Sequence, residues 1–338
     1  MQSDLAIVIL NYNTCHLLNT YLPSVVKHSK DCRIIFVDNA SKDESVKFVR
    51  ENYPQIEVIQ LEENFGFTGG YNRALKQINA KYYCLLNTDV EVTENWIQPI
   101  INLMESDETI AVCQPKLLSF LEKNKFEYAG AAGGYIDYLG YPFCAGRVFD
   151  TIEEDKGQYD KVREVFWASG AAFFIKADLY HAFGGLDENY FAHFEEIDLC
   201  WRLKNAGYKI FYNPNSIVYH LGGGTLNKTS PFKTYLNFRN SLLTLYKNLP
   251  QDKVDSVLRK RKVLDFIAAL TFLVKRNGEF SSVIKAYKDF KKMKSQYKKT
   301  SSLSYPSCVY YKSLVIQSKL KLKQRFSELN QRNNFSLL

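Results

Sequence analysis

Asp89 is a single carboxylate that follows an apolar run, Tyr82 to Leu86, through a short polar turn. In α/β proteins, ligands bind in the crevice beyond the carboxyl ends of the strands. Mg²⁺ prefers oxygen ligands and is usually held by one or two carboxylates together with substrate phosphates. Asp89 is therefore a candidate ligand for a divalent metal that binds a nucleotide diphosphate. The alternative is an Asx turn that only ends the strand.

A second group of acids, Glu195, Glu196 and Asp198, follows an aromatic run and falls in the first turn of a predicted helix that Gly207 can end. Crowded carboxylates raise the pKa of one another, and an acid with a raised pKa can act as a general base near neutral pH. The alternative role is to complement the helix dipole, which contributes about 0.3 to 1 kcal/mol. The spacing thus predicts either a catalytic carboxylate pair or a stabilised helix end.

Short β-branched runs that alternate with helical patterns predict the sheet that would carry these acids. The predicted strands are 5–10, 33–37, 56–61 and 82–86, and the predicted helices are 17–29, 41–52 and 73–79. Consecutive parallel strands place their carboxyl ends on one edge of a sheet. We therefore expect a common edge for four polar residues: Asn11, Asp38, Asn64 and Asp89. A loop with Gly66, Gly69 and Gly70 would bring backbone close to the ligand.

Five motifs in this order resemble those of family 2 glycosyltransferases of the rhamnosyltransferase-like branch, whose nucleotide-sugar-binding fold is GT-A. The motifs are Val-Ile-Leu-Asn-Tyr-Asn at 8–13, Val-Asp-Asn-Ala-Ser-Lys-Asp at 37–43, Asn-x-Gly-Phe at 64–67 with Gly70 and Asn72, Leu-Leu-Asn-Thr-Asp at 85–89, and Phe-Glu-Glu-Ile-Asp-Leu-Cys-Trp-Arg-Leu at 194–203. The resemblance implies an α/β fold, a Rossmann-like mixed sheet flanked by helices.

The resemblance also implies roles for individual residues. Asp89 would be the direct metal ligand, and His220 would complete the metal shell. Glu196 would be the general base, while Glu195 and Asp198 would orient the acceptor or the helix. Donor-binding roles are implied for Asn11, Tyr12, Asn13, Asp38, Asn39, Asn64, Gly66, Gly70, Asn72, Asn87, Trp167 and Gly170.

Several of these residues have an alternative interpretation. The family's metal motif is commonly Asp-x-Asp, and its first position here is Asn87. A noncatalytic sugar-nucleotide-binding or scaffold protein with a degenerate site is therefore the alternative function. A sugar nucleotidyltransferase is disfavoured because the amino terminus lacks that class's glycine-rich, basic loop. Trp167 and His220 are also compatible with structural positions, and Arg239 either meets phosphate or forms a structural salt bridge.

Charge divides the chain near residue 250. Residues 251–338 carry a net charge of +14 and residues 1–250 carry −6, within an overall charge of +8. We predict a catalytic domain over 1–250 and a basic, mainly helical C-terminal extension over 251–338. The apolar run 264–274 is shorter than the roughly 18 residues needed to cross a bilayer.

Four cations at 259–262 lie next to a group of apolar side chains. Cations beside an apolar face are typical of a helix that binds an anionic membrane surface. The predicted insertable face consists of Phe266, Leu270, Phe272 and Leu273. Helices that pack on the catalytic domain are the alternative. The extension has no recognisable nucleic-acid-binding motif, so we expect no nucleic acid partner.

The seven cysteines show no Cys-x-x-Cys spacing, which predicts free thiols in a reducing compartment. No signal peptide is predicted. The sequence therefore predicts a cytoplasmic enzyme, peripheral at the inner face of the cell membrane. The family resemblance implies metal-dependent, inverting transfer, with Mn²⁺ or Mg²⁺, from a nucleotide-diphosphate sugar to a saccharide or lipid-linked saccharide in cell-surface polysaccharide synthesis.

Overall fold

A computed structural model of the chain describes residues 4–222, 230–275, 278–300, 304–320, 322–329 and 335. The strands are β1 (Leu5–Asn11), β2 (Arg33–Asp38), β3 (Glu57–Gln60), β4 (Tyr82–Asn87), β5 (Val90–Val92), β6 (Ile110–Ser119), β7 (Gly134–Asp137), β8 (Pro142–Cys144), β9 (Arg147–Val148), β10 (Thr151–Ile152), β11 (Arg163–Val165), β12 (Ala172–Lys176), β13 (Lys209–His220) and β14 (Val309–Tyr310). The helices are α1 (Cys15–His28), α2 (Ser45–Asn52), α3 (Gly66–Leu75), α4 (Gln98–Ser106), α5 (Ala177–Ala182), α6 (Glu195–Asn205), α7 (Pro231–Asn248), α8 (Gln251–Lys275), α9 (Glu279–Met293) and α10 (Phe326–Leu329).

The main sheet is mixed and has nine strands in the order β11-β13-β6-β12-β4-β1-β2-β3, with β5 paired to β13. Strands β4, β1, β2 and β3 are parallel, β12 is antiparallel to both of its neighbours, and β13 is parallel to β6. Successive residues of a strand point to opposite faces. In β1, Ile7 and Ile9 belong to one buried cluster and Ala6 and Val8 to another, so both faces of the sheet are covered. The predicted mixed α/β fold is confirmed.

Helix α3 begins earlier than the sequence predicts. The pattern places a glycine loop before a helix at 73–79, whereas the helix starts at Gly66, whose φ is +70°. A Cβ on Gly70 would lie 2.8 Å from Cδ1 of Leu10, and a Cβ on Gly69 would lie 2.8 Å from Cβ of Phe65. These two glycines therefore allow α3 to pack closely against β1 and against its own first turn, which overrides their low helix propensity.

The C-terminal extension packs into the same core as the preceding chain. β14 pairs with β7 of a second sheet, whose order is β10-β9-β8-β7-β14. The ring of Phe326 lies 4.9 Å from that of Tyr135 and 5.7 Å from that of Tyr159, measured between centroids. The boundary at residue 250 stays a prediction, but the extension shares its apolar contacts with residues before that boundary.

Within the described ranges, no helix combines the length and the apolar character that a bilayer span requires.

Candidate active site

Polar residues end three neighbouring strands of the main sheet at the same edge. Asn11 of β1 is in register with Asp38 of β2, and Leu10 is in register with Asn87 of β4. The backbone N–H of Asn39 donates to the carbonyl of Asn11, which joins the two strand ends. The predicted common edge is therefore present in the structure, and a ligand in this crevice would meet these polar groups.

The side chains at the β1 and β2 ends are bonded to one another. Asn11 Nδ2 donates to Asp38 Oδ1 at 3.0 Å and to Ser41 Oγ at 2.9 Å, and Asp38 Oδ2 accepts from the N–H of Ser41 at 3.1 Å. Asn13 Oδ1 accepts from the N–H of Lys42 at 2.8 Å. Tyr12, between them, is half-buried. These bonds order a polar cup in which the carboxylate of Asp38 is fixed.

Asn39 and Asn64 shape the turn that enters α3. Asn39 Nδ2 donates to Asn64 Oδ1 at 2.9 Å and to the carbonyl of Gly66 at 3.0 Å, while Asn64 Oδ1 also accepts from the N–H of Gly66. A Cβ on Gly66 would lie 2.5 Å from the ring of Phe191. The asparagines therefore fix the backbone here, and the glycine leaves room for the loop that precedes α6.

Two residues predicted to bind the donor, Asn72 and Trp167, are bonded inside the protein. Asn72 Nδ2 donates to the carbonyl of Leu186 at 2.7 Å, and its Oδ1 accepts from Tyr180 Oη at 2.6 Å and from the N–H of Leu186. Trp167 is 3% exposed, and its Nε1 donates to the carbonyl of Tyr135 at 2.9 Å. Because the polar groups of both side chains are bonded inside the protein, they support the fold. Gly170 is half-buried, next to the ring of Phe67.

His220 lies between two buried carboxylates. Its Nε2 is 3.1 Å from Asp89 Oδ1, and its Nδ1 is 3.4 Å from Glu127 Oε1. Burial alone would raise the pKa of Asp89, but the charge and hydrogen bond of His220 outweigh it and lower that pKa. Burial alone would lower the pKa of His220, yet Asp89 and Glu127 raise it to about 10.

The Asp89–His220 pair fits a divalent metal. Neighbouring ligands of an octahedral ion with bonds of about 2.1 Å are about 3.0 Å apart, close to the Oδ1–Nε2 distance of 3.1 Å. Asn87 Nδ2 lies 3.5 Å from the same Nε2. Among the described residues, no cluster of three His, Cys, Asp or Glu side chains is arranged around a metal position. The remaining coordination positions would therefore fall to diphosphate oxygens and water.

Glu195 and Glu196 start α6 after a strained turn. Phe191, His193 and Phe194 all have positive φ, between 66° and 72°, which is unfavourable for residues with side chains. Oε2 of each glutamate is buried and has no hydrogen-bond partner among the described residues. Burial raises the pKa of Glu196 to about 7, and burial together with the charge of Glu196 raises the pKa of Glu195 well above its ordinary value.

Asp198 differs from the two glutamates. Its Oδ2 pairs with Arg202 Nε and with Lys247 Nζ, both at 2.9 Å, and its Oδ1 accepts from Asn248 Nδ2 at 2.8 Å. Burial alone would raise the pKa of Asp198, but Arg202 and Lys247 lower it. Asp198 is fully buried, so it anchors α6 on α7 and does not face a ligand.

Arg239 and Asn240 on α7 bind the strained turn. Asn240 Nδ2 lies within hydrogen-bond distance of the carbonyls of Tyr190, Ala192 and His193, at 2.8 to 3.1 Å. Arg239 NH2 donates to the carbonyls at 189 and 190. Among the described residues Arg239 forms no salt bridge, and its guanidinium instead satisfies backbone carbonyls. The sequence contains no signal for these contacts across some 50 residues.

Comparison with known proteins identifies the family of the first half of the chain. Residues 6–166 match the family model described as Glycosyl transferase family 2. This part of the chain belongs to glycosyl transferase family 2. It is a glycosyltransferase, and the family predicted from its motifs is confirmed.

Two curated relatives of this glycosyltransferase come from distant organisms. The low-salt glycan biosynthesis hexosyltransferase Agl10 of Haloferax volcanii is 23% identical over 253 residues, which cover 72% of this chain and 76% of the relative. The N-acetylglucosaminyl-diphospho-decaprenol L-rhamnosyltransferase of Mycobacterium tuberculosis is 23% identical over 239 residues, which cover 65% of this chain and 76% of the relative.

Solved structures show the same GT-A fold. GalNAc-T7, crystallised with UDP, GalNAc and Mn²⁺, has a TM-score of 0.56 and 16% identity, with 86% of this chain and 56% of that chain covered. The mannosyltransferase PcManGT of Pyrobaculum calidifontis, in complex with GDP-Man and Mn²⁺, has a TM-score of 0.51 and 11% identity, with 86% and 76% covered.

The unbonded Oε2 atoms of Glu195 and Glu196 lead to a prediction about the general base and the pH dependence of sugar transfer. Glu196→Gln preserves the side-chain shape but cannot accept a proton, so sugar transfer should fall by about 10² to 10⁴. Glu195→Gln, at the neighbouring buried position, is the matched comparison and should be less damaging. Wild-type transfer should rise with pH through about 7, where Glu196 ionises. A larger loss in Glu195→Gln at equal stability would assign the base to Glu195.

Urea unfolding provides an independent check of the same pair. A carboxyl group whose pKa is raised from 4.5 to about 7 on folding favours the folded state at low pH, and this contribution is lost as pH rises toward 7. Glu196→Gln removes that dependence. The variant should therefore gain stability relative to the wild type between about pH 5 and about pH 8. A difference in unfolding free energy that does not change with pH would contradict the raised pKa.

Proposed function

We propose that this glycosyltransferase is metal-dependent and inverting. In this proposal it transfers a sugar from a nucleotide-diphosphate donor to a saccharide or lipid-linked saccharide acceptor in cell-surface polysaccharide synthesis. The observation that carries the proposal is the Asp89–His220 pair at the carboxyl edge of the sheet, whose spacing suits two neighbouring ligands of one metal ion. The names of the relatives, which concern glycans and a lipid-linked sugar, and the Mn²⁺ complexes of the structural neighbours support it.

The donor would lie across the ends of β1, β2 and β4. Asp38, fixed by Asn11, would bind the nucleoside, and the turn from Asn64 into α3 would surround the donor. Asp89 and His220 would hold Mn²⁺ or Mg²⁺. When bound, the metal would supply positive charge that neutralises the departing diphosphate.

The acceptor would approach from the side of α6. Glu196 would take the proton from the acceptor hydroxyl as the oxygen attacks the anomeric carbon. The carbon–oxygen bond to the diphosphate would break on the opposite face, so the configuration at that carbon would invert. A raised pKa suits this task, because the base must be ionised near neutral pH and yet hold a proton well enough to remove it. The buried ring of Phe194, directly before Glu195, would help to exclude water from the reacting hydroxyl.

Asp89→Asn tests the metal assignment. The substitution removes the only carboxylate of the pair, so metal-stimulated donor turnover should fall by more than about 100-fold. Loss of a residue that only hydrogen-bonds to a metal ligand already lowers metal affinity or activity by about 10- to 100-fold. Purified protein should first be screened against nucleotide sugars by thermal shift with Mn²⁺, to find the donor. Glu94→Gln, which removes one exposed negative charge nearby, is the control and should behave as wild type. Unchanged turnover and Mn²⁺ dependence in Asp89→Asn would refute the assignment.

We further propose that α8 docks on an anionic membrane surface. Its second half presents large apolar side chains that are 44% to 61% exposed: Val263, Phe266, Ile267, Leu270 and Leu273. Their spacing of three and four residues places them on one helix face. Phe272 is half-buried, so Val263 and Ile267 replace it in the face predicted from the sequence.

The buried side of α8 contains an ion pair as well as apolar residues such as Val257 and Ala269. Arg261 Nε pairs with Asp265 Oδ1 at 2.8 Å, and Asp265 also accepts from Tyr141 Oη at 2.8 Å and Tyr287 Oη at 2.9 Å. The helix thus has an ion pair inside and an apolar stripe outside. Exposed cations at 259, 260 and 262 precede the stripe. An apolar stripe beside cations complements anionic lipid, where each Lys or Arg contributes about 1 kcal/mol.

Vesicle cosedimentation tests the membrane proposal. Full-length protein should bind vesicles that contain anionic lipid at low salt and dissociate at high salt. Replacing Arg259 and Lys262 by Gln should weaken binding by about 30-fold at low salt, since about 2 kcal/mol is lost. Phe266→Ser with Leu270→Ser should abolish it, whereas Leu121→Ser, at an apolar residue that is 75% exposed elsewhere, should not. Equal binding by all variants, or self-association through α8 without vesicle binding, would contradict a membrane role.

A further inference from the structure

Glu127 is a buried carboxylate that no motif in the sequence identifies. The preceding residue, Phe126, forms an isolated antiparallel bridge with Leu118 of β6. The N–H of Glu127 donates to the carbonyl of Leu117 at 3.0 Å. The residue is 5% exposed. Glu127 therefore lies on a backbone segment that is hydrogen-bonded to β6, and β6 pairs with β13, the strand that ends at His220.

The two carboxylate oxygens of Glu127 have different neighbours. Oε2 accepts from the backbone N–H of Ala129, which fixes the rotation of the group. Oε1 faces His220 Nδ1 at 3.4 Å. The imidazole ring therefore stands between Glu127 on one side and Asp89 on the other, and Glu127 cannot reach the metal position on the Nε2 side.

A neutral imidazole carries one proton and offers one lone pair, so the partner of one nitrogen decides which nitrogen can bind a metal. When an ion takes the lone pair of Nε2, the proton of the neutral ring lies on Nδ1, the nitrogen that faces Glu127. Histidines that bind metals almost always donate their other N–H to a carboxylate, a carbonyl or water.

Gly222 preserves this arrangement. Its φ is +71°, and a Cβ at this position would lie 2.9 Å from Glu127 Oε1. The preceding residue, Leu221, donates its N–H to the carbonyl of Asp89 at 3.1 Å. The short segment after β13 therefore contacts both carboxylates, and a side chain at residue 222 would displace Glu127 from His220.

We infer that Glu127 is a positioning residue for a divalent cation: it holds the ring of His220 so that Nε2 and Asp89 present adjacent ligands. This inference rests on the proposed metal dependence. It adds a residue that contacts neither the donor nor the metal and acts through His220 alone. In the metal-bound protein, Glu127 would accept a hydrogen bond from Nδ1–H, and Nε2 would be free to bind the ion beside Asp89.

The test is the affinity for Mn²⁺, measured by electron paramagnetic resonance of the free ion in the absence of any donor. Glu127→Gln should weaken Mn²⁺ binding by about 10- to 100-fold. Glu122→Gln removes the same charge from an exposed position five residues earlier and should bind as the wild type. The same Glu127 substitution in a His220→Ala background should change the affinity by less than about twofold, because a residue that acts through His220 loses its effect when the ring is absent.

The outcomes separate this inference from the proposal on which it rests. Absence of Mn²⁺ binding by the wild type would overturn the metal dependence and the inference together. Wild-type binding with unchanged affinity in Glu127→Gln, or an equal loss in the His220→Ala background, would overturn the inference alone. If Glu127→Gln does not fold, Glu127→Asp is the alternative variant, because it keeps the charge but moves it away from Nδ1 by one methylene. This variant should still bind Mn²⁺ more weakly than the wild type, while its melting temperature without metal should be unchanged.

Discussion

Pairing of β13 with three other strands is the constraint on which the site depends. This twelve-residue strand runs parallel to β6 and antiparallel to β5 and β11. Its last residue, His220, is in register with Val90 of β5 and with Ser119 of β6. Because Val90 directly follows Asp89, this register brings an imidazole to a carboxylate 131 residues away. A slip by one residue would turn His220 to the other face of the sheet.

The same sheet end accommodates groups that are costly to bury. Asp89 and Glu127 are compensated by His220, whereas Glu195 and Glu196 each retain an unpartnered oxygen. The turn before α6 adds unfavourable backbone angles, and Arg239 and Asn240 satisfy its carbonyls. Unfavourable backbone angles and buried carboxylates persist only where the contacts of the surrounding structure hold them in place. Here α7 provides that support, through hydrogen bonds to the turn and through Lys247 and Asn248 on Asp198.

The sequence predicts the parts of this protein that local patterns encode. Apolar runs and helical spacing identify the parallel strands and their polar ends, and the motifs identify the family. Residue type alone does not tell whether a polar group faces a ligand or a neighbour. The polar groups of Asn72 and Trp167, two predicted donor-binding residues, are bonded inside the protein. Glu127 and Asn240 act only through contacts distant in sequence. α8 departs from the usual pattern, because it buries the Arg261–Asp265 ion pair and exposes a stripe of large apolar side chains.

We propose that Asp89 and His220 hold one metal ion together. Pulsed electron paramagnetic resonance of Mn²⁺ bound to the protein with a nucleoside diphosphate reports directly on the ligands of the ion. The account predicts a nitrogen coupling from one coordinated imidazole in the wild type and its loss in His220→Ala. A wild-type spectrum without nitrogen coupling, or a coupling that persists after His220→Ala, would contradict it.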